Sequence, residues 1–483
     1  MRETLKRLGA ESIVYGFGQV TGRAVQLLLV PILTRALTRG EYGIGELVAG
    51  YSQMALLILV MGMDGALARF FYEQPDREAR IRMASSSLVF RLGTSLAATA
   101  AIALFAGPLA GQLMSGEAYR KYILLGAAAL PFTLLVMFSS DVLRVTFQPW
   151  KFIGLNFVQT VCVTGLSLYF VLVVKTGVVG VLYGRLIGDA VAAIIGLVLT
   201  RHSIVPRFSR TVLRRMLSYG LPSVPAAFCF GLIAAADRYV LQRTRSIEEV
   251  AVYSVALKFF AVVSITISAF QLAYGPFAFA RAKEPDAPRL YARVFALYLA
   301  GSALGALTLG AFAPELVRFL APVEYAGAAR PALWLGFAAI GLGGYAVASL
   351  GIGLALRTPL LAWCSGIGAA VAIAAQLTLT PRFGIEGAGA ATFLGYFATA
   401  FVTYAIAQRV HPLPYRGLRM LLLLAGALGL GFALQRLVPA GFAGALVKLA
   451  GIAAFAAVCF ALRIWKDSGS VAGWVAAPSL SEK

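Results

Sequence analysis

Apolar residues along this chain recur in blocks of about twenty, set apart by short polar gaps, and within the blocks there is no alternation of period two. A helix rises 1.5 Å per residue, so about twenty residues cross a hydrocarbon layer of roughly 30 Å, whereas a strand of a membrane barrel needs only about 9–11 alternating residues. The pattern predicts fourteen membrane-spanning helices, over 12–33, 44–63, 84–107, 119–140, 152–174, 177–200, 217–236, 250–275, 290–313, 331–353, 358–380, 384–407, 417–438 and 442–463. The fold class expected is therefore an all-α polytopic membrane protein.

The blocks also repeat. Tyr15-Gly16 opens the first span and Tyr219-Gly220 the seventh, 204 residues later. Phe105-Ala-Gly-Pro108 before Glu117 returns as Phe312-Ala-Pro314 before Glu324, displaced by 206–207 residues. Gly177-Val-Val-Gly180 opens the sixth span and Gly384-Ile-Glu-Gly387 the twelfth, displaced by 207. Spans 1–6 and 7–12 thus read as two copies of one unit. An even number of spans enters and leaves on the same side, so the copies run parallel, the architecture of an alternating-access transporter. The expected organisation is an N-lobe over 1–205, a C-lobe over 206–411, and spans 13–14 with a tail over 412–483.

Composition agrees with a chain immersed in lipid. Hydrophobic residues make up 60% of it and charged residues 13%, against about 25% charged in soluble domains, and mean hydropathy is +0.82. The net charge of +21 comes from 42 Lys and Arg against 21 Asp and Glu. These cations are scattered over short loops, mostly on the side of the amino terminus, with the densest group at Arg201, Arg207, Arg210, Arg214 and Arg215. That asymmetry places both termini in the cytoplasm and makes anionic phospholipids, not nucleic acid, the secondary partners. The amino-terminal apolar run is too long for a signal peptide, is interrupted by Arg23, and has no small-residue cleavage site after it. Cys162, Cys229, Cys364 and Cys459 fall inside spans and read as small core residues. His202 and His411 stand alone in loops, so no metal site, no cofactor site and no hydrolytic triad is predicted. Loops of about twenty residues at most leave no room for a catalytic domain, which argues against a membrane-embedded glycosyltransferase or polymerase.

Candidate chemistry lies in charges placed deep in the spans. Arg23 is midway along the first span, about 15 Å from either surface by helical rise, where a guanidinium costs several kcal/mol unless it faces protein, water or an anion. Lys258 in span 8 and Arg185 in span 6 lie at about 12 Å depth by the same rise. Together the three read as cations lining a cavity that takes an anion through the membrane. Each has a structural alternative. Asp189 stands four residues after Arg185, the spacing of a same-face ion pair, and is also the one acid deep in a span that could couple transport to an ion. Lys258 can snorkel part of the way to the surface. Arg91, Lys448 and Arg293 read as snorkelling or interfacial, and Asp64, Asp141 and Asp237-Arg238 as solvated span ends. Pro222 and Pro225 break the start of span 7 and are either a gating hinge or a static kink.

On the stretches Val30-Pro-Ile-Leu-Thr-Arg-Ala-Leu-Thr-Arg-Gly-Glu-Tyr-Gly43, Asp237-Arg238 followed by Glu248-Glu-Val-Ala-Val-Tyr253, and Arg382-Phe-Gly-Ile-Glu-Gly-Ala-Gly-Ala-Ala391, the chain resembles the polysaccharide flippases of the multidrug/oligosaccharidyl-lipid/polysaccharide exporter superfamily. The resemblance extends over the whole chain and its fourteen-span plan. It implies movement of an undecaprenyl-diphosphate-linked oligosaccharide across a bacterial inner membrane through a cationic cavity, with the lipid-linked oligosaccharide diphosphate as substrate and polysaccharide polymerase machinery as a partner. The related lipid II flippases carry cavity arginines on spans 1, 2 and 8. Arg23 matches the first, Lys258 approximates the third, and span 2 has Glu46 instead of an arginine, which disfavours lipid II. A cation-coupled drug exporter of the same superfamily is the other alternative; resemblance to that branch would require an acid inside span 1, where this chain has Arg23.

Overall fold

In a computed structural model the protein is described over residues 25, 27–74, 76–114, 116–205, 208–280, 286–354, 357, 359–410 and 412–461. Among these residues it is helical almost throughout: α1 Leu27–Ala36, α2 Arg39–Val60, α3 Met63–Phe70, α4 Arg77–Leu104, α5 Ala106–Met114, α6 Arg120–Val145, α7 Pro149–Leu168, α8 Val178–Thr200, α9 Arg210–Gly220, α10 Val224–Thr244, α11 Ile247–Ala280, α12 Ala287–Ala311, α13 Ala313–Leu320, α14 Ala329–Leu354, α15 Pro359–Val410, α16 Gly417–Leu437 and α17 Phe442–Ala461. Eleven described helices are long and apolar enough to cross a membrane. One of them, the 52-residue α15, is two spans joined at Gly384. Counted so they make twelve; the 34-residue α11 lies where the eighth span is expected, and α1 overlaps the end of the first. Four short helices, α3, α5, α9 and α13, were not foreseen, because eight to eleven residues of mixed polarity carry no span signal.

Helix ends follow local chemistry. The Thr38 hydroxyl accepts from the Glu41 amide at 3.3 Å while the Glu41 carboxylate accepts from the Thr38 amide at 3.1 Å, a reciprocal cap that starts α2. The same helix stops where Met61 and Gly62 take left-handed conformations, φ 46° and 67°.

Two positions carry the repeat into the backbone. Gly177 before α8 has φ 62°, ψ −145°, and Gly384 inside α15 has φ 57°, ψ −133°, a region open essentially to glycine alone. Likewise α4 ends at Phe105 with φ −100°, ψ 15°, and α12 at Phe312 with φ −91°, ψ 6°. Each is followed by a short helix and then a 3-10 turn, Glu117–Tyr119 and Val323–Ala328. The sequence matches 207 residues apart are thus matches of conformation.

Packing divides the chain into two compact units, Met1–Ala251 and Val252–Lys483. In the first, α6 lies against α4 and α8, and α7 against α8. Close approach there needs glycine: a Cβ at Gly184 would overlap Ser167, and one at Gly188 would meet the Val163 backbone. Because α10 packs on α2, the first unit extends beyond residue 205, where the repeat by itself would end the N-lobe. In the second unit, α12 holds α14, α16 and α17 around a core that includes Tyr291, Phe295, Leu299, Leu333, Phe337 and Met420.

Candidate functional site

Three neighbouring helices of the first unit build one polar cluster in an apolar setting. Asp189 on α8 is buried; its Oδ2 accepts from the Thr133 hydroxyl of α6 at 2.6 Å and its Oδ1 from the Gln159 amide of α7 at 2.8 Å. One turn earlier on α8, Arg185 Nε stands 3.8 Å from the same carboxylate, with 27% of its side chain exposed. The exposed apolar stripe of α8 runs through Tyr183, Ile187, Val191, Ile194 and Val198; at 3.6 residues per turn Arg185 falls on the opposite side of the helix. The ion pair expected from the four-residue spacing is present, but it occupies only Nε, and no hydrogen bond or ion pair among the described residues engages the two terminal nitrogens. A carboxylate fixed by two uncharged donors holds the guanidinium by its stem and leaves its fork free for planar, bidentate anion recognition. Thr133 and Gln159, which orient the carboxylate, escaped the sequence reading because uncharged residues in a span carry no depth signal.

Several other charges differ from their sequence reading. Arg91 does not snorkel. It is fully buried, and its Nη2 donates to Asp141 Oδ2 at 2.8 Å. Asp141 is not a solvated span end either, since its second oxygen accepts from Arg144 at 2.8 Å. With a partner fifty residues away in sequence and adjacent in space, pairing inside the unit costs less than threading the side chain to the surface. Lys448 is fully buried rather than interfacial, donating to Glu315 at 2.6 Å beside the Phe312 ring. Asp237 is buried as well, accepting from the Arg238 amide at 2.7 Å, while Arg238 Nη1 reaches the Glu46 carbonyl at 3.3 Å. Arg293 and Asp64 are exposed. All four cysteines are free, Cys364 and Cys459 buried and Cys162 and Cys229 half-buried.

Of the remaining candidates, Arg23 lies outside the described residues. Lys258 is half-buried on α11, in the second unit, whereas Arg185 and Asp189 belong to the first. Pro222 lies in the 3-10 turn Leu221–Ser223 and Pro225 in the first turn of α10. A first helical turn lacks acceptors for its amides, so these prolines begin α10 without breaking it. Just ahead of them the chain makes a tight backbone crossing: a Cβ at Gly220 would lie 2.5 Å from the Met61 carbonyl oxygen and 2.9 Å from that of Gly62. Gly220→Ala is expected to force the two segments apart and to cost about 1–3 kcal/mol. The lowered melting temperature of the purified protein measures it, and an unchanged value would show that the crossing gives way freely.

Long and broken apolar helices of this kind define a multi-pass membrane protein. Residues 8–277 match the family described as polysaccharide biosynthesis protein, and the chain belongs to that family. A search of curated proteins finds no match. Among solved structures, the lipid II flippase MurJ in an inward closed conformation is similar at TM-score 0.73 and 12% identity, covering 94% of this chain and 100% of that one. A point mutant of the Vibrio cholerae MATE transporter VcmN is similar at TM-score 0.60 and 18% identity, covering 84% and 97%. An outward-facing multidrug resistance MATE family transporter gives TM-score 0.60 at 15% identity, covering 83% and 95%. At these identities the likeness is one of fold.

Proposed function

We propose that this chain flips a polyprenyl-diphosphate-linked oligosaccharide from the cytoplasmic to the periplasmic leaflet of a bacterial inner membrane by alternating access, with both termini in the cytoplasm. The observation that carries the reading is Arg185, anchored by Asp189 through one nitrogen, with its terminal nitrogens unengaged among the described residues and on the side of α8 away from the exposed apolar stripe. A diphosphate carries about two negative charges, and moving it bare through hydrocarbon is prohibitive. Cations at mid-span remove that barrier by replacing water at the phosphate oxygens. Arg23 and Lys258 are proposed as further contacts, and Pro222 and Pro225, next to the Gly220 crossing, as the place where span 7 pivots. Asp189 serves this scheme as the anchor of Arg185. A drug exporter of the same superfamily would need an acid that releases a cation or proton each cycle, and a carboxylate held by Thr133, Gln159 and Arg185 is poorly placed for that.

The test is a deletion strain scored for surface glycan and for efflux of a cationic dye. Loss of glycan with accumulation of its lipid-linked precursor, efflux unchanged and glycan restored by this gene alone, is the expected outcome. Impaired efflux with intact glycan would overturn the proposal.

A further inference from the structure

Away from the Arg185 cluster, one end of the second unit holds a polar cavity of about 460 Å³ lined by Pro314, Ala329, Arg330, Glu386, Gln435 and Arg436. Four elements form it: the start of α13, the first turn of α14, the stretch of α15 just past the Gly384 bend, and the last turn of α16. The walls are tied together. Gln435 Nε2 donates to the Ala329 carbonyl at 2.6 Å, and Arg436 is ion-paired with Glu386 while its guanidinium lies 5.2 Å from the centre of the Phe432 ring. One turn deeper, Trp334 packs at 4.9 Å on Phe432 and 5.3 Å on Phe393, and its buried Nε1–H has no acceptor among the described residues.

Charge is unbalanced in this cavity. Two arginines face one carboxylate, and Arg330, exposed at the mouth, makes no hydrogen bond or ion pair among the described residues. Beside the charges stand large apolar side chains open to the surroundings: Leu437, adjacent to Arg436, at 79% exposure, and Phe383, three residues before Glu386, at 64%. Such residues in a membrane protein meet acyl chains, so the cations sit where a lipid headgroup does.

We propose that this cavity binds the phosphoryl headgroup of an anionic lipid, as a phosphodiester or diphosphate. Arg330 supplies the unengaged fork. Arg436 is held ready by Glu386, and phosphate oxygens exchange with that carboxylate for the guanidinium, as both are acceptors that a guanidinium grips in the same bidentate way. Exchange makes Glu386 a competitor of the ligand, which gives the proposal a signature that general attraction to a positive surface lacks. The site does not depend on the flippase assignment, because any membrane offers such a headgroup.

Binding of dihexanoyl phosphatidylglycerol to the purified full-length protein in neutral detergent, followed by native mass spectrometry, tests this. Arg330→Gln should weaken binding severalfold and Arg330→Gln/Arg436→Gln at least tenfold. Glu386→Gln should tighten it a few-fold, and Arg120→Gln, at an exposed basic residue of the first unit, should leave it unchanged. Arg330 has no partner to lose among the described residues, so its single variant reads the site without risk to folding. Displacement of the lipid by inorganic diphosphate would assign recognition to the phosphoryl group alone; failure to displace it would assign recognition to the headgroup together with its chains. Equal binding by wild type and the double variant, or weaker binding by Glu386→Gln, would overturn the proposal.

Discussion

Asp141→Ala is expected to remove most of the protein from the membrane fraction and to lower the melting temperature of what remains. Arg91 has no exposed surface, and its Nη2 bond to Asp141 is its one salt bridge among the described residues. Its Nε and Nη1 already lack hydrogen-bond partners there, so deleting the carboxylate leaves a whole guanidinium uncompensated inside the first unit. Breaking a buried pair in this way costs about 3–5 kcal/mol, a large share of the stability of any fold. Removing both charges is a different experiment. Arg91→Met/Asp141→Leu keeps apolar volume and should recover most of the loss, since a buried pair adds little over a well-packed apolar substitute. Arg91→Met alone should be intermediate, because Asp141 keeps Arg144 at 2.8 Å. Wild-type melting by Asp141→Ala would mean that the guanidinium reaches water or lipid headgroups after all.

The second large effect is functional. Arg185→Gln should reduce surface glycan at least tenfold with the amount of protein unchanged, and the lipid-linked precursor should accumulate. A hydrogen bond to a charged group is worth about 1.5–3 kcal/mol, so losing one grip on a diphosphate corresponds to roughly ten- to hundredfold. Arg185→Lys should restore part of the export, because a point charge replaces a bidentate fork. Asp189→Asn keeps an acceptor for Thr133 and removes the charge that holds the Arg185 stem, so export should fall although every cation remains. Arg23→Ala should behave as Arg185→Gln does. Normal glycan display by Arg185→Gln at ordinary expression would reduce the Arg185–Asp189 pair to a structural tie between turns of α8.

Much of the architecture was legible because the bilayer imposes it. A span must be long, apolar and helical, so periodicity and length located the helices, including the break between the two halves of α15. The repeat was legible for a related reason: glycine at 177 and 384 answers to a backbone conformation that no other residue adopts comfortably, and such positions persist as sequence marks. Charged residues were read less well. Depth along a helix can be counted from sequence, which singled out Arg23, Arg185 and Lys258. Direction around the bundle and the identity of a partner cannot be counted in that way. Arg91 and Asp141 are fifty positions apart, Lys448 and Glu315 one hundred and thirty-three, and nothing local in either member announces the other.

The sequence by itself determined that this is a polytopic helical membrane protein, where its spans lie and that it contains a duplicated unit; each follows from the cost of exposing polar backbone to hydrocarbon or from steric limits on single residues, while the resemblance to a flippase family rests on its motifs. Tertiary structure alone decided which charges are committed and which are open. It buried Arg91 and Lys448 against carboxylates, engaged Arg185 through Nε, and set Arg330 beside Arg436 in a cavity assembled from four separate segments. Those outcomes depend on helix rotation and packing, where a shift of one residue turns a side chain by about 100°, and on the gain from pairing charges in a low dielectric, which exists only once the partners have been brought together.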